Sequence, residues 1–291
     1  MSTNKPAIDR EEKNAIVGGT LYLVATPIGN LADLSERAIK TLSEVDFVAA
    51  EDTRNSGKLL SCFGISKPMV SYHEHNKKER GEGIVSRLLA GESCALVTDA
   101  GTPAISDPGE DLVRLCAERG VPVTSVPGAC AAVNALALSG LATGKFVFEG
   151  FLPVPKSERR ERLEELSGEK RTMILYEAPH KLRTTLNDLL ETFGNRKIAL
   201  CRELTKLNEE IYRTTLEAAV ETYREREPRG EYVLILEGGE GKKKECFFAH
   251  MTVEEHVAHY MAGGMSKMDA TKAVAKDRGV PKNEIYRKIN T

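Results

Sequence analysis

Four short segments combine side chains that bind or ionise with residues that turn the chain. The longest, residues 98–109 (TDAGTPAISDPG), contains two glycines, two prolines and two aspartates. The others are residues 26–30 (TPIGN), 51–54 (EDTR) and 126–132 (VPGACAA). Each follows a short apolar run, and open α/β sheets bind their ligands at the carboxyl ends of their strands. The spacing therefore indicates a ligand site at the ends of several strands. For residues 51–54 the alternative is a capped helix start with an internal ion pair.

The motifs that these segments lack narrow the chemistry. The turn at 26–30 is not a GxGxxG, and no GxxxxGK[ST] occurs, which disfavours NAD and nucleoside triphosphates. His73 and His75 lie in a polar stretch with no third ligand at convincing spacing, so we expect no metal site. The six cysteines form no CxxC pair and are expected to be free thiols in a reducing cytosol.

Apolar runs that alternate with helical spacing must position these segments. The first set predicts a parallel sheet with crossover helices, and a second α/β set follows it. One interpretation of residues 211–216 is an antiparallel strand. The predicted strands are 20–26, 46–50, 93–98, 121–126, 146–149, 172–177, 198–202 and 232–236. The predicted helices are 35–43, 79–90, 108–119, 131–139, 158–166, 179–193 and 216–225.

The organisation along the chain predicts an α/β protein with two α/β domains and a small C-terminal helical domain. The break between the α/β sets falls near 140–144, and residues 238–246 have the composition of a linker. Residues 251–291 show no strand pattern, and three short helices around Gly279 suggest a helix-turn-helix. The predicted bounds are 1–18 for a flexible N-terminal arm, 19–142 and 143–240 for the α/β domains, and 248–291 for the helical domain.

Charge and composition limit the partners. Hydrophobic residues make up 41% of the 291-residue chain, which allows a sizeable core, and the net charge is −2. A nucleic-acid surface must therefore come from local charge segregation. Residues 266–291 carry seven Lys and Arg against three Asp and Glu, which predicts a phosphate-binding face; a merely solvated helical face is the alternative. Residues 1–18 have no apolar segment, so we predict neither a signal peptide nor a membrane span.

The four segments, in this order, resemble the motifs of the tetrapyrrole-methylase superfamily of S-adenosylmethionine (SAM) enzymes. YEAPHKL at 176–182, CRELTK at 201–206 and GEYVLILEG at 230–238 extend the resemblance across about residues 19–238. Within the superfamily, the chain is most similar to the branch that methylates small-subunit ribosomal RNA. TPIGN replaces the GxGPG-like turn of members that modify tetrapyrroles, which argues against a porphyrin substrate.

The resemblance implies two α/β domains of the class III SAM methyltransferase type, with SAM in the cleft between them. The TPIGN turn, the 98–109 loop and residues 129–130 should contact the cofactor from the first domain. The YEAP, CREL and GEY motifs should close over it from the second. The residues predicted on this basis to bind SAM are Pro27, Gly29, Asp99, Gly101, Thr102, Pro103, Ala129, Cys130, Tyr176, Arg202 and Glu231.

A ribose hydroxyl is a weak acid, so its methylation needs an aligned donor and acceptor and a group that takes the proton. The candidate bases or orienting groups are the carboxylates Glu51, Asp52, Glu177 and Glu203, and the motifs alone do not choose among them. His73 and His180 are further candidates, although His180 stands near a predicted helix start, where a capping or surface role is the simpler interpretation.

The resemblance also implies a substrate and a setting. These are the 2′-hydroxyl of a decoding-centre cytidine in 16S ribosomal RNA, within the small ribosomal subunit, and a cytoplasmic homodimer without membrane association. One alternative is a methylase of the same superfamily that acts on a tetrapyrrole or another small molecule, which the basic tail disfavours. Another is a SAM-binding nucleic-acid regulator that uses the basic C-terminal tail, residues 266–291, in which Asn283, Arg287 and Lys288 could contact bases.

Overall fold

A computed structural model describes residues 14–239, 248 and 251–289. The chain divides into two compact units, the first ending at Gly238. Most of the predicted N-terminal arm and most of the predicted 238–246 linker lie outside the described residues. Of the described part of the arm, Ile16 packs on the core, and the Val17 N–H donates to the Tyr22 hydroxyl at 2.8 Å.

The first half of this unit is an open parallel sheet with helices on both faces. Its strands are β1 (Leu21–Val24), β2 (Phe47–Ala50), β3 (Met69–Ser71), β4 (Cys94–Val97) and β5 (Val123–Val126). Its helices are α1 (Glu36–Glu44), α2 (Thr53–Cys62), α3 (Lys77–Leu89), α4 (Glu110–Glu118) and α5 (Ala131–Ser139). The strand order is β3-β2-β4-β1-β5, and every pairing is parallel. All five strands therefore present their carboxyl ends at one edge.

Burial on both faces explains the continuous apolar strands of this sheet. All residues of β2 (FVAA) and β4 (CALV) are buried, as expected where crossover helices cover both sides. Apolar residues of α1 and α2 form one core layer, and those of α3 and α4 form the other. This sandwich fixes the strand ends that carry the loops.

The second half is a mixed sheet. Its strands are β6 (Phe146–Phe151), β7 (Thr172–Glu177), β8 (Lys197–Arg202), β9 (Glu210–Thr215) and β10 (Tyr232–Leu236). Its helices are α6 (Lys156–Leu166), α7 (Leu182–Phe193) and α8 (Leu216–Glu225). The order is β6-β7-β10-β8-β9; β6 and β7 are parallel, and the other neighbours are antiparallel.

Helix α5 connects the two halves through packing. It directly follows the β5 loop of the first sheet, yet its buried face, Ala132, Ala135 and Leu136, contacts residues of β7, β8 and β10. Helices α6, α7 and α8 cover the opposite face of the second sheet. The β5–α5 loop is therefore held between the two sheets.

The second unit is a cluster of three helices. Its helices are α9 (Val253–Ala262), α10 (Lys267–Arg278) and α11 (Lys282–Lys288). Val257, Val274 and Ile285 are central to its core. Thr252 and Glu255 form a reciprocal capping box on α9, and Gly279 ends α10 in a left-handed conformation. The three predicted tail helices are all present.

The α/β fold class with two sheets and a helical tail is confirmed. All eight strands that we predicted outright exist, as does the antiparallel strand proposed near 211–216. Strand β3 had no counterpart in the sequence prediction. Of α2, only the start was anticipated, as the alternative of a capped helix start at residues 51–54. The predicted domain bounds remain predictions.

Candidate active site

A cavity of about 520 Å³ lies where the strand-end loops of the two sheets meet. Ile28, Glu51, Asp99 and Cys130 reach it from the ends of β1, β2, β4 and β5. Phe151, Tyr176, Glu203 and Tyr232 reach it from β6, β7, β8 and β10. Among the described residues that line the cavity, six are acidic and one is basic. They are Glu51, Asp99, Asp107, Glu177, Glu203, Glu231 and Lys206. The cavity is thus strongly acidic and suits a cationic ligand.

Polar side chains hold two of the first sheet's carboxylates. The Thr98 hydroxyl donates to Glu51 Oε2 at 2.8 Å, and Thr26 donates to the Thr98 carbonyl at 3.0 Å. The amide of Asn55, on α2, donates to Asp99 Oδ2 at 2.9 Å. Loops from three strands are thereby tied together at the cavity's edge.

Asp107 lines the same cavity from the far end of the 98–109 loop. Burial raises the pKa of its carboxyl to about 6, and the negative charges of Glu51 and Asp99 act in the same direction. The nearby Thr98 hydroxyl partly opposes these effects on the Asp107 pKa. This half-buried acid is therefore more basic than an ordinary carboxylate.

The loop that carries Asp107 has a strained backbone. Ala104 and Ser106 adopt φ values of 66° and 61°, in the left-handed region that disfavours side chains. The loop also needs Gly109, with φ of 147°, because a Cβ there would lie 2.9 Å from Leu96 and 3.0 Å from Ala104. The segment immediately before Asp107 therefore contains two residues in a strained conformation.

The loop after β8 shows the same kind of strain on the other side of the cavity. Glu203 and Thr205 have φ values of 51° and 67°, and with Ala104 and Ser106 they are the four described non-glycine residues with positive φ. Gly230 gives room to Glu203, because a Cβ at Gly230 would lie 2.5 Å from Glu203 Cγ. Both strained loops thus contribute cavity-lining side chains.

The charge of Glu203 is compensated. Lys206 Nζ donates to Glu203 Oε1 at 2.9 Å and to Glu231 Oε2 at 3.0 Å, and the Glu231 N–H donates to Glu203 Oε1 at 3.1 Å. Burial alone would raise the pKa of Glu203, but these hydrogen bonds hold it below its usual value. Glu203 is therefore held in its ionised form on the cavity wall.

An aromatic group and a buried carboxylate complete the second sheet's side. Tyr176 makes edge-to-face contacts with Phe148 and Phe151, at centroid distances of 5.2 and 5.6 Å. Burial raises the pKa of the Tyr176 hydroxyl to about 12. Phe151 is 60% exposed at the cavity's rim. Both oxygens of buried Glu177 accept hydrogen bonds, from the Ala178 N–H at 2.9 Å and from the Thr185 hydroxyl.

Most of the predicted site residues meet at the cavity. Nine of the predicted residues line it: Glu51, Asp99, Gly101, Thr102, Cys130, Tyr176, Glu177, Glu203 and Glu231. Six others are not among its lining residues: Pro27, Gly29, Asp52, Pro103, Ala129 and Arg202. The roles assigned to these residues are untested and stay predictions.

The residues outside the lining have visible contacts of their own. Asp52 caps α2 through the Arg54 N–H and forms an exposed ion pair with the Arg54 side chain at 2.8 Å. Gly29 lies against the Lys206 side chain, and the Ala129 carbonyl accepts from Thr102 at 3.0 Å. Arg202 pairs with Glu210 at 3.1 Å.

Among the lining residues that the sequence prediction did not name, Asp107, Lys206 and Phe151 have side chains that could act on a ligand. Asp107 and Lys206 lie in motifs that were already singled out, so those motifs themselves carried the signal. The other candidates for a base, His73 and His180, do not line this cavity. His180 is exposed in a short 3₁₀ turn before α7.

Three further observations concern cysteines, metals and membranes. The five described cysteines are free thiols. Within the described part of the chain, no three His, Cys, Asp or Glu residues are grouped as metal ligands. Every helix described between residues 14 and 289 is too short or too polar to cross a membrane.

Comparison with known proteins places this architecture in a family. The family described as Tetrapyrrole (Corrin/Porphyrin) Methylases matches residues 20–220. The fold is similar to uroporphyrin-III-C-methyltransferase from Thermus thermophilus, with a TM-score of 0.52 and 20% identity over 75% of this chain and 94% of that one. It is also similar to cobalt precorrin-4 methyltransferase, with a TM-score of 0.55 and 19% identity over 75% and 95%. At such identities these structures show the fold alone.

Sequence relatives give a finer assignment. The chain is 50% identical over 289 residues, 98% of each chain, to ribosomal RNA small subunit methyltransferase I of Halalkalibacterium halodurans. It is 46% identical over 271 residues to the protein of that name from Bacillus subtilis, covering 92% of this chain and 93% of the relative. The chain belongs to the tetrapyrrole methylase family and, within it, to the ribosomal RNA small subunit methyltransferase I family.

Proposed function

We propose that this protein transfers a methyl group from SAM to the ribose 2′-hydroxyl of a decoding-centre cytidine in 16S ribosomal RNA. Membership of a methyltransferase family whose relatives are named for small-subunit ribosomal RNA supports the reaction class and the substrate. The acidic cavity between the two sheets is the structural observation that carries the proposal.

The residues present fit SAM. A volume of about 520 Å³ is within the range of small-molecule sites. Ile28, Cys130 and Val233 provide apolar wall, and carboxylates at the ends of β2 and β4 provide negative charge for a cation. We propose that Asp99, Gly101 and Thr102 bind from the first sheet, and Tyr176 and Glu231 from the second. The other residues predicted to bind SAM, which lie in the same motifs, are kept in this proposal: Pro27, Gly29, Pro103, Ala129 and Arg202.

When bound, SAM supplies a methyl group that its sulfonium charge already activates. The chain's own residues must then orient the acceptor hydroxyl and remove its proton, since alignment and proton transfer are what remain to be catalysed. Glu51 is fixed by Thr98, and Glu177 by Thr185 and the backbone, so these carboxylates can orient groups without moving. Substrate orientation is their proposed contribution, together with Glu203; Asp52 would act only through its cap on α2.

The rim of the cavity suits a nucleotide. Phe151 is 60% exposed and Ile105 is 46% exposed, and both line the cavity opening. Exposed aromatic rings commonly stack the splayed bases of single-stranded RNA. We propose that the target nucleotide enters here as part of an assembled small subunit, where its ribose is presented.

The proposal also covers the C-terminal tail, the oligomeric state, the location in the cell and the domain bounds. The tail retains exposed Lys276 and Lys282, although Lys272 and Lys288 pair with Asp269 and Glu284. We propose that the tail contacts phosphate, that the protein acts as a homodimer in the cytoplasm, and that its domains follow the predicted bounds.

The test is to map methyl groups on the RNA. Purified small subunits lacking this methylation are incubated with protein and labelled SAM, and the extracted 16S RNA is cut in alkali. A 2′-O-methyl group blocks alkaline cleavage at its own phosphodiester, so one band should disappear at a decoding-centre cytidine. A reaction without SAM is the control. A complete ladder with label on a base, or label only on an added tetrapyrrole, would contradict the proposal.

A further inference from the structure

We propose that Asp107 is the catalytic base, whose carboxylate takes the proton from the acceptor ribose hydroxyl. This inference rests on the proposed function. In the step, the O–H bond breaks and the proton passes to an Asp107 oxygen, while the hydroxyl oxygen forms a bond to the methyl carbon. The electron pair of the broken carbon–sulfur bond remains on sulfur, which becomes a neutral thioether. Asp107 then releases its proton to water.

The other carboxylates of the cavity already have partners. Both oxygens of Glu177 accept hydrogen bonds. Glu203 and Glu231 share the ammonium group of Lys206. Each of these groups has a structural task that proton transfer would disturb.

Glu51 and Asp99, the two carboxylates whose charges act on Asp107, are each held through one oxygen by a neighbouring side chain. Glu51 accepts from the Thr98 hydroxyl, and Asp99 accepts from the Asn55 amide. Thr98 also lies beside Asp107, but a threonine hydroxyl has one proton, and that proton is donated to Glu51. A general base needs a lone pair that faces the reacting group. Asp107 lines the cavity, where its carboxyl oxygens can meet a bound substrate.

Backbone strain next to Asp107 is a second, independent observation that supports a functional role for this residue. Ala104 and Ser106 hold left-handed conformations immediately before Asp107. Such backbone strain concentrates where side chains are held for function. The packing of Gly109 against Leu96 and Ala104 closes the loop. The carboxyl is therefore presented by a segment whose shape is fixed at an energetic cost.

The electrostatic setting supports the same role. Burial and the charge of Glu51 raise the pKa of Asp107 to about 6. Such a group is mostly ionised at neutral pH, yet it is a stronger base than an ordinary carboxylate. Titratable groups act on it from three elements: Glu51 at the end of β2, Asp99 in its own loop, and Tyr176 on β7. The other charged groups of the cavity wall are Glu177, Glu203, Lys206 and Glu231.

The first experiment measures SAM binding without RNA. A cation that binds beside Asp107 lowers that carboxyl's pKa by about one unit, so by linkage the affinity should rise about fivefold between about pH 5 and about pH 7.5. Calorimetry over this range should show the rise in the wild type and its loss in Asp107→Asn. Asp111→Asn makes the same chemical change four residues further along, outside the cavity, and should keep the rise. An equal rise in all three proteins would overturn the inference.

The second experiment measures methyl transfer in a single turnover on small subunits with saturating SAM. Asp107→Asn should lose at least about a hundredfold in rate, the usual contribution of a general base, whereas Asp111→Asn should react like the wild type. The wild-type rate should fall below about pH 6. Glu51→Gln should move this fall to lower pH, because it removes a like charge.

The outcomes separate the two proposals. If the wild type methylates a ribose and Asp107→Asn, folded and saturated with SAM, does so at full rate, the base assignment is wrong and the function stands. An inactive Glu51→Gln beside an active Asp107→Asn would assign the base to Glu51 instead. If the wild type methylates no ribose, the proposed function fails, and the pH dependence of SAM binding still reports on Asp107.

Discussion

Two loops on opposite sides of the cavity use the same backbone device for opposite electrostatic purposes. The 98–109 loop holds Ala104 and Ser106 at positive φ, and the 201–206 loop does the same with Glu203 and Thr205. Each loop packs against a glycine whose position has no room for a Cβ. Both therefore place a carboxylate on the cavity wall by means of a strained turn.

The carboxylates themselves differ. Among the residues that the structure describes, none is a cation that acts on Asp107, and burial with the charge of Glu51 raises its pKa. Glu203 is held ionised by Lys206 and by the Glu231 N–H, which lower its pKa. When two acids in one site have their pKa values pushed apart, their roles separate. The comparison assigns proton transfer to the first loop and fixed structure to the second.

The largest stability effect is expected in the second loop. Lys206→Met keeps the stem that packs on Gly29 but leaves Glu203 without its cation. An uncompensated charge of this kind costs about 1–3 kcal/mol, and because the lysine side chain is 31% exposed we expect about 1–2 kcal/mol at neutral pH. Urea unfolding of the variant provides the measurement.

A matched control is Lys197→Met, which breaks an exposed pair with Glu237 and should cost at most about 0.5 kcal/mol. The folded pKa of Glu203 is depressed, so its stabilising effect is present at neutral pH and declines as pH falls below the usual glutamate range. The loss in Lys206→Met should shrink accordingly. Equal losses in the two lysine variants would show that Glu203 does not depend on Lys206.

In the first loop, by contrast, the charged carboxylate of Asp107 is expected to lower the stability of the folded protein. The folded pKa of Asp107 is about 6, against an ordinary value of 3.8, so the folded state binds the proton more tightly than the unfolded chain. Stability therefore falls as pH rises from about 4 to about 6 and stays lower above that. Asp107→Asn should stabilise the protein by about 1 kcal/mol at about pH 8, after discounting for solvent, and by little at about pH 4.5.

Thermal or urea unfolding of Asp107→Asn at the two pH values checks this expectation. Gain of stability with loss of activity is typical of a residue kept for function. If Asp107→Asn is less stable than the wild type at about pH 8, the Asp107 carboxylate stabilises the fold as Glu203 does. The electrostatic difference between the two loops would then be wrong.

Most strands and helices could be predicted because buried elements have a recognisable pattern of apolar residues in the sequence. Strands covered on both faces, such as β2 and β4, read as continuous apolar runs. β3 was missed because it is only three residues long and none of them is fully buried. The length of helix α2 (TRNSGKLLSC) was not predicted, although its capped start was an alternative for residues 51–54. The helix buries only Ser56 and Leu60, so its hydrophobic pattern is weak.

The site was predictable as a set of loops but not side chain by side chain. Parallel strand ends share an edge, so the motifs had to meet. Glu51 and Asp52 are adjacent, yet one lines the cavity and the other caps a helix, because the chain turns into α2 between them. Asp107 was overlooked in favour of Asp99, since burial and neighbouring charge, which distinguish them, appear only in three dimensions.

The smallest expected change in stability comes from relieving the backbone strain at Ala104 in the 98–109 loop. Ala104→Gly relieves a left-handed conformation that costs an alanine about 1–2 kcal/mol, while the added freedom of the unfolded chain returns about 0.5–1 kcal/mol, so a net gain of about 0.5 kcal/mol is expected. Ala117→Gly, at an exposed position of α4, should instead lose about 1 kcal/mol, because that alanine is helical. Denaturant titration gives both values. If the loop positions Asp107, Ala104→Gly should also slow single-turnover methylation without weakening SAM binding, since a looser turn presents the carboxylate less accurately. A destabilised Ala104→Gly would mean that the turn is not strained, and unchanged methylation would mean that the strain does not serve Asp107.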